Sequence, residues 1–393
     1  MNLIPCEHGT LVCDLGTSTI RFGYAGDAQP LYSIPSAAAV RETYDDTQIQ
    51  FGTSWLCKDA SNIEVKNMVS PSGNIDSDTL SSFFDWIYQD FRIDSNDFTL
   101  LFNQPTHLYD IEKNALMNWR KALCQCTFEF LHHPLFCIEH DSVLACFSRA
   151  VQTAAVVDCG WSFFRVTPIV EGFPKLKCIS PNSYIPGISS YIEWLSNEFA
   201  RSDKRVLTEC DFRKCLIPPT ESQQKFCRSM VISDIIQSEL FFQQPQHPNN
   251  KVDDMIFKYS MHHGESIDVS QEMATLLEKI SHSIPKILWN SITKAPADVH
   301  RTLWSHIVTA GGLAGQKGFD DFLEKNIRNI QPQYFLKVPP AVIRPMNQRI
   351  TGGQFAVWCG GSILGSLPNF SDYCITKAEF EEVGENILLQ KCL

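Results

Sequence analysis

Several things this 393-residue chain lacks narrow its function at once. It has no Lys/Arg run of the nuclear-import kind. Bases are outnumbered, with 33 Lys+Arg against 44 Asp+Glu, a net charge of −11 and a pI near 5.5. A globally basic face for nucleic acid is thereby excluded, though a local patch is not. No uninterrupted apolar segment is long enough to span a bilayer. The opening MNLIPCEHGTLVCDLG has neither a basic start nor a long apolar core, so no signal peptide is expected.

Metal signatures are missing too. The 15 cysteines are odd in number and scattered, and the nearest pair, Cys124 and Cys126, has no second pair at zinc spacing. Cys13, Cys137 and Cys159 lie in apolar, strand-like runs and read as buried thiols of a reducing compartment. His132-His133 and His262-His263 read as loop or surface residues. No metal site is expected.

What is present suits a folded protein of two or three domains. Hydrophobic residues make up 44% and charged residues 20%. Strand-like and helix-like segments alternate. Strands are expected at Thr10–Leu15, Ile20–Ala25, Thr99–Phe102, Leu135–Ile138 and Ala154–Asp158. Helices are expected at Asp78–Phe91, Tyr109–Cys126 and Asp141–Ala150. This alternation argues an α/β fold.

One pattern occurs twice. The stretch Leu11–Arg21 (LVCDLGTSTIR) lies over Ala155–Arg165 (AVVDCGWSFFR). Asp14 meets Asp158, Gly16 meets Gly160, Ser18 meets Ser162 and Arg21 meets Arg165, always 144 residues apart. Two such hairpins suggest duplicated α/β lobes facing each other across a cleft. Small residues in a tight turn let backbone N–H groups point at phosphate oxygens. An Asp at each strand end can hold hydrated Mg²⁺, and the basic residue neutralises phosphate. Twin strand turns kept for packing would read the same way. A third segment, Ile307–Gly312, runs a strand into Gly311-Gly312, where a flat nucleoside could approach the backbone. The helix Phe319–Ile330 follows.

These motifs, in this order and spacing, resemble the actin family. Asp14-x-Gly16-Thr17 with Phe22–Asp27 is similar to the first phosphate loop. Val156–Pro168 is similar to the second, and Ala310-Gly311-Gly312 to the adenosine loop. Phe355–Leu367 (FAVWCGGSILGSL), Ile375–Phe380 (ITKAEF) and the ending Lys391-Cys392-Leu393 carry the likeness through the C-terminal part. The resemblance implies two duplicated α/β lobes, in four subdomains, around a nucleotide-type cleft. One lobe would hold residues 1–150 and 340–393, the other 151–339. Carried over by motif, the cofactor-binding positions are Asp14, Gly16, Thr17, Ser18, Arg21, Asp158, Gly160, Gly311 and Gly312.

Departures from the family pattern gather where ATP chemistry would occur. Trp161 and Ser162 stand where the second loop carries an aspartate and a glycine, and Ser18 stands where the first carries a glycine. Asp141 replaces the glutamine that positions the attacking water. Ile236 and Gln237 replace a lysine and a glutamate that hold the adenosine, and Gln354 replaces a further lysine. Losing two charge-assisted partners, at about 1.5–3 kcal/mol each, weakens binding by about two to four decades. The resemblance therefore implies at most weak binding of ATP with Mg²⁺, no useful hydrolysis and no catalytic residues. The Trp161 ring is expected to fill the γ-phosphate space, with Phe163 and Phe164 beside it in a buried aromatic cluster; swung outward, it would instead leave Asp14, Arg21 and the glycine loops able to hold ATP without hydrolysing it.

Thr10–Ala37, Met68–Asn74 and Val383–Leu393 resemble the nuclear actin-related proteins. That likeness implies a scaffold subunit in the nucleus, within a chromatin-remodelling or histone-modifying complex. Its partners would be a helix of the remodeller ATPase and actin or another actin-related protein, without sequence-specific nucleic acid or membrane. Ser291–Gly312 equally fits a cytoplasmic, cytoskeletal subunit such as the dynactin pointed-end type. The family's partner groove maps onto Phe147, Ala150, Gly172, Leu364 and Leu367, although Leu364 and Leu367 also suit core positions of a helix over 360–367. The segment Glu42–Gly52, within Arg41–Lys58, has little of the pattern that serves filament contacts, so no self-filament is expected. Gln243–Asp253 reads as a surface loop.

Overall fold

The computed structural model describes residues 8–42, 47–58, 62–108, 114–179, 184–212, 218–240, 242, 257–261, 264–345 and 352–392. The expected loop Gln243–Asp253, the pair His262-His263, residues 43–46 and 109–113, the first seven residues and Leu393 lie outside them.

Two mixed sheets organise the chain. The first contains β1 (Gly9–Leu15), β2 (Thr19–Tyr24), β3 (Tyr32–Pro35), β7 (Phe98–Gln104), β8 (Leu135–His140) and β16 (Ile375–Thr376), in the order β16-β8-β7-β1-β2-β3. Here β1 pairs antiparallel with β2 and parallel with β7. The second contains β9 (Ala154–Cys159), β10 (Phe163–Val170), β11 (Phe173–Pro174) and β15 (Ile307–Ala310), in the order β11-β10-β9-β15, with β12 (Tyr184–Pro186) on β10. Here β9 pairs antiparallel with β10 and parallel with β15. The same hairpin-plus-parallel-neighbour unit thus occurs in both sheets. Two smaller sheets complete the set among the described residues. One is β4 (Ala37–Glu42), β5 (Thr47–Phe51) and β6 (Ile63–Asn67), and the other is β13 (Lys258–Ser260) with β14 (Ser266–Asp268).

Apolar strands explain the placement. β1 buries six of its seven residues and β9 five of its six, the continuous burial of strands covered on both faces. One core joins β1, β7 and the Ser77–Phe91 helix to Ile375, Ile387 and Leu388 near the C-terminus. Another joins β9, β10 and β15 to the long helices Glu221–Glu239 and Ser270–Lys294. Between them, the Asp141–Phe147 and Ala356–Gly365 helices meet at Gly360. A Cβ there would lie 1.7 Å from the Leu144 carbonyl oxygen, so only glycine permits this approach.

The expected elements appear with shifted ends. The helix expected at Asp141–Ala150 stops at Phe147, and Ala150 takes a left-handed φ of 53°. The helix expected at Tyr109–Cys126 is described over Ala115–Gln125 and continues as a wider turn over Cys126–Phe130. The Phe319–Ile330 helix has the expected bounds. No disulfide forms among the described residues, and Cys13, Cys137 and Cys159 are buried. No described helix is long and apolar enough to cross a membrane.

Candidate functional site

The turns of the two hairpins face each other. Gly16 N–H donates to Thr19 O at 3.1 Å, and Gly160 N–H donates to Phe163 O at 3.1 Å, so the turns are built alike. Thr17 and Ser162 join them directly, hydroxyl to hydroxyl, at 2.8 Å. A cleft with about 1200 Å³ of space, its open mouth included, lies around them. Asp14, Gly16, Thr17, Ser18, Arg21, Asp158, Gly160, Gly311 and Gly312 all line it, as do Trp161, Asp141, Ile236, Gln237 and Gln354.

The carboxylates of this cleft are engaged by the chain's own cations. Asp14 and Arg21 are cross-strand neighbours, and the guanidinium donates to the carboxylate at 2.8 Å. Asp158 and Arg165 are the corresponding neighbours in the second hairpin. Arg165 does more: it donates to Asp158, to Asp141 and to His107 Nδ1. Asp141 starts its helix and also accepts from the Thr106 hydroxyl at 2.5 Å and from Ser142 N–H at 2.7 Å.

Titration follows from this geometry. Burial opposes the charge on Arg165, but the Asp141 and Asp158 carboxylates outweigh it and hold its pKa above the ordinary value. Burial, then the Arg165 charge, pushes His107 well below the usual histidine range, so a neutral ring accepts from Arg165. Burial raises Asp158 to about 6; Arg165 works against that rise and the Asp141 and Asp14 charges add to it. Asp14 is raised by burial, with Arg21 opposing.

This donor set does not fit a hydrated divalent cation between the turns. Such an ion needs carboxylate oxygens aimed at open space. Asp141 and Asp158 are aimed at Arg165 instead, and the Thr17–Ser162 bond spans the gap between the two phosphate-type turns. On the nucleoside side, Ile236 is buried in the second core, and Gln237 donates to the Ser233 hydroxyl at 3.1 Å. Gly311 has a φ of 88°, and a Cβ there would meet the Cys159 carbonyl at 2.5 Å; packing alone therefore demands this glycine. A Cβ on Gly312 would meet nothing.

Trp161 lines the cleft and leans on the second core, but it does not head an aromatic cluster. Phe163 and Phe164 are adjacent in a strand and so point to opposite faces. Phe163 lies 5.1 Å from the His107 ring, while Phe164 is buried against Tyr191. Sequence reading also missed His107, which carried no signal as one histidine in a loop, and the engagement of Arg165, which was expected to face phosphate.

The groove positions scatter in burial. Phe147 and Leu367 are half-buried and pack on the same core edge, whereas Leu364 is buried within it. Gly172 has a φ of 84°, and Ala150 is exposed. Nearby in the chain, Ile363, Tyr373 and Phe173 expose apolar surface.

A family model described as Actin matches residues 6–184 and 201–393. A SWI/SNF and RSC complexes subunit, arp42, of Schizosaccharomyces pombe is 25% identical, over 96% of this chain and 97% of its own length. Actin-related protein 4 of Arabidopsis thaliana is 24% identical, over 98% and 99%. Actin-related protein 3 of Drosophila melanogaster is 26% identical, over 96% of each.

Proposed function

The chain belongs to the actin family, and on that premise we propose that it is a non-catalytic scaffold subunit of a nuclear chromatin-remodelling or histone-modifying complex. The observation that carries this reading is Arg165, held between Asp141 and Asp158 where cleft chemistry would need available carboxylates. A protein whose cleft charges are internally satisfied has more to offer through its surface than through turnover. A relative described as a SWI/SNF and RSC complexes subunit, matched over nearly its full length, supports the assignment.

In this reading the partner is a helical segment of the remodeller ATPase. It docks against Phe147 and Leu367, beside the exposed Ile363 and Tyr373. Actin or another actin-related protein binds alongside. Residual ATP binding, where it occurs, is weak and without useful hydrolysis.

Affinity purification of the tagged full-length chain, with mass spectrometry of what accompanies it, tests the reading. Remodeller subunits support it; dynactin subunits, or no partner, overturn it. Changing Phe147 and Leu367 together to Asp should remove the remodeller while leaving thermal unfolding nearly unchanged. If the double variant unfolds instead, these are packing residues and the groove assignment fails.

A further inference from the structure

Away from the phosphate-type turns, a second set of contacts joins the segment that leads into the cleft-lining Val69 and Ser70 to the helix that carries the cleft-lining Ser233, Ile236 and Gln237. On one side stand β6 and the short Thr53–Leu56 helix, and on the other the start of the Glu221–Glu239 helix. Val65 N–H donates to the Ser222 hydroxyl at 3.0 Å, and Thr220 donates to Ile63 O. Phe226 packs on the small core of Ala37, Ala39, Leu56 and Ile63. Gln223 Nε2 donates at 3.1 Å to both Leu56 O and Lys58 O, the carbonyls flanking Cys57.

That grip places two thiols together. Cys227, one helical turn beyond Gln223 and buried, donates its S–H to Cys57 Sγ at 3.6 Å. Cys57 is half-buried and reachable from solvent. Cys210 lies close enough to bear on Cys227 as well. Among the described residues no group of three donors is arranged to hold a metal ion, which leaves sulfur–sulfur chemistry as what this cluster can do.

We infer that Cys57 and Cys227 are a dithiol oxidation site whose disulfide fastens these two segments together, with a small-molecule disulfide of the glutathione type as oxidant. Cys57 is the attacking sulfur, because it is the accessible one and accepts the Cys227 hydrogen bond. Its thiolate attacks one sulfur of the oxidant, forming a protein mixed disulfide and expelling one small thiolate. Cys227, giving its proton to that thiolate, attacks Cys57 Sγ and expels the second small thiolate, which takes up the proton that Cys57 shed. The chain loses two electrons and two protons, and the oxidant becomes two thiols. The sulfurs need only close from 3.6 Å to the roughly 2.05 Å of a disulfide. Thiol pools in a reducing compartment keep such a pair open, so the bond marks oxidising episodes. The inference stands on the contacts of these two segments alone and does not depend on the scaffold reading.

The full-length chain, equilibrated with oxidised glutathione and then thiol-blocked, tests it by peptide mapping and hydrogen–deuterium exchange. A Cys57–Cys227 linked peptide is expected. Exchange at Val65 should slow by about tenfold or more, since separation of the two segments is then blocked, and dithiothreitol should reverse both effects. Cys57→Ser should abolish both, and Cys210→Ser should abolish neither. If Cys227→Ser fails to fold, the half-buried Cys57→Ser still decides. A glutathione adduct on Cys57 without a crosslink, a Cys210–Cys227 crosslink in its place, or a crosslink that leaves Val65 exchange unchanged would each overturn the inference.

Discussion

Asp14 with Arg21 and Asp158 with Arg165 occupy the same register positions of two like-built hairpins, but their surroundings differ. Among the described residues, Arg21 has Asp14 as its one ion-pair partner at 2.8 Å; it keeps 16% of its side chain exposed and lies over the Phe355 ring at 5.7 Å. Arg165 is buried and shared among Asp158, Asp141 and His107. The difference comes from outside the repeated motif: the first residue of the Asp141–Phe147 helix and a histidine after β7 are aimed at the second copy. A duplicated local pattern therefore does not dictate duplicated chemistry, because the third neighbour decides whether the charge is available.

Substituting the two arginines should break the symmetry most visibly. Arg165→Gln leaves Asp141 and Asp158 buried without their cation, a loss of about 3–5 kcal/mol. Arg21→Gln removes one partly solvated pair, about 1–2 kcal/mol. Urea unfolding of both variants reads the contrast, and equal losses would contradict it.

Trp161 and Thr17 occupy equivalent turn positions and offer a second contrast. Trp161→Asp should cost about 2 kcal/mol, since it strips an apolar contact and adds a carboxylate beside Asp158. It should not create phosphate release, because Asp141 and Ile236 are unchanged. Thr17→Asp, which strips no large apolar contact, should cost less than half as much by thermal unfolding.

The pH dependence should separate the copies in the same direction. Asp158 binds its proton more tightly folded than unfolded, so its contribution is complete below about pH 4. That contribution is lost as pH rises through about 6. Asp158→Asn should flatten stability against pH across this window, and Asp14→Asn should flatten it less. Denaturant midpoints taken from pH 4 to pH 7 follow the effect.

The smallest effect belongs to the bond that joins the copies. Thr17→Ala and Ser162→Ala should each cost about 1 kcal/mol or less. Together they should show a coupling of about 0.5–1 kcal/mol in a double-mutant cycle. Additive losses would mean that the turns touch without holding each other.

Much of this was legible in the sequence. The two DxG turns, their in-register arginines and the Gly311-Gly312 turn were readable because each ends an apolar strand, and strand burial fixes where the turn emerges. The Asp141–Phe147 helix ends early because Ala150 adopts a left-handed backbone, which no residue preference near it announces. The role of Arg165 was hidden because Asp141 and His107 reach it from elements 24 and 58 residues away. The Gln223 grip on Cys57 joins positions more than 160 residues apart, with no motif at either end. Phe163 and Phe164 form no single cluster because adjacent residues of a strand face opposite sides, which their being neighbours in sequence conceals.

In the proposed reading, the second hairpin spends its charge internally and the cleft holds no working nucleotide site. Calorimetric titration of the full-length chain with ATP and Mg²⁺, paired with a phosphate-release assay, tests it directly. Weak or no binding, little dependence on Mg²⁺ and no steady release of phosphate are expected. Micromolar or tighter Mg²⁺-dependent binding with steady turnover would contradict it and make the chain an active ATPase.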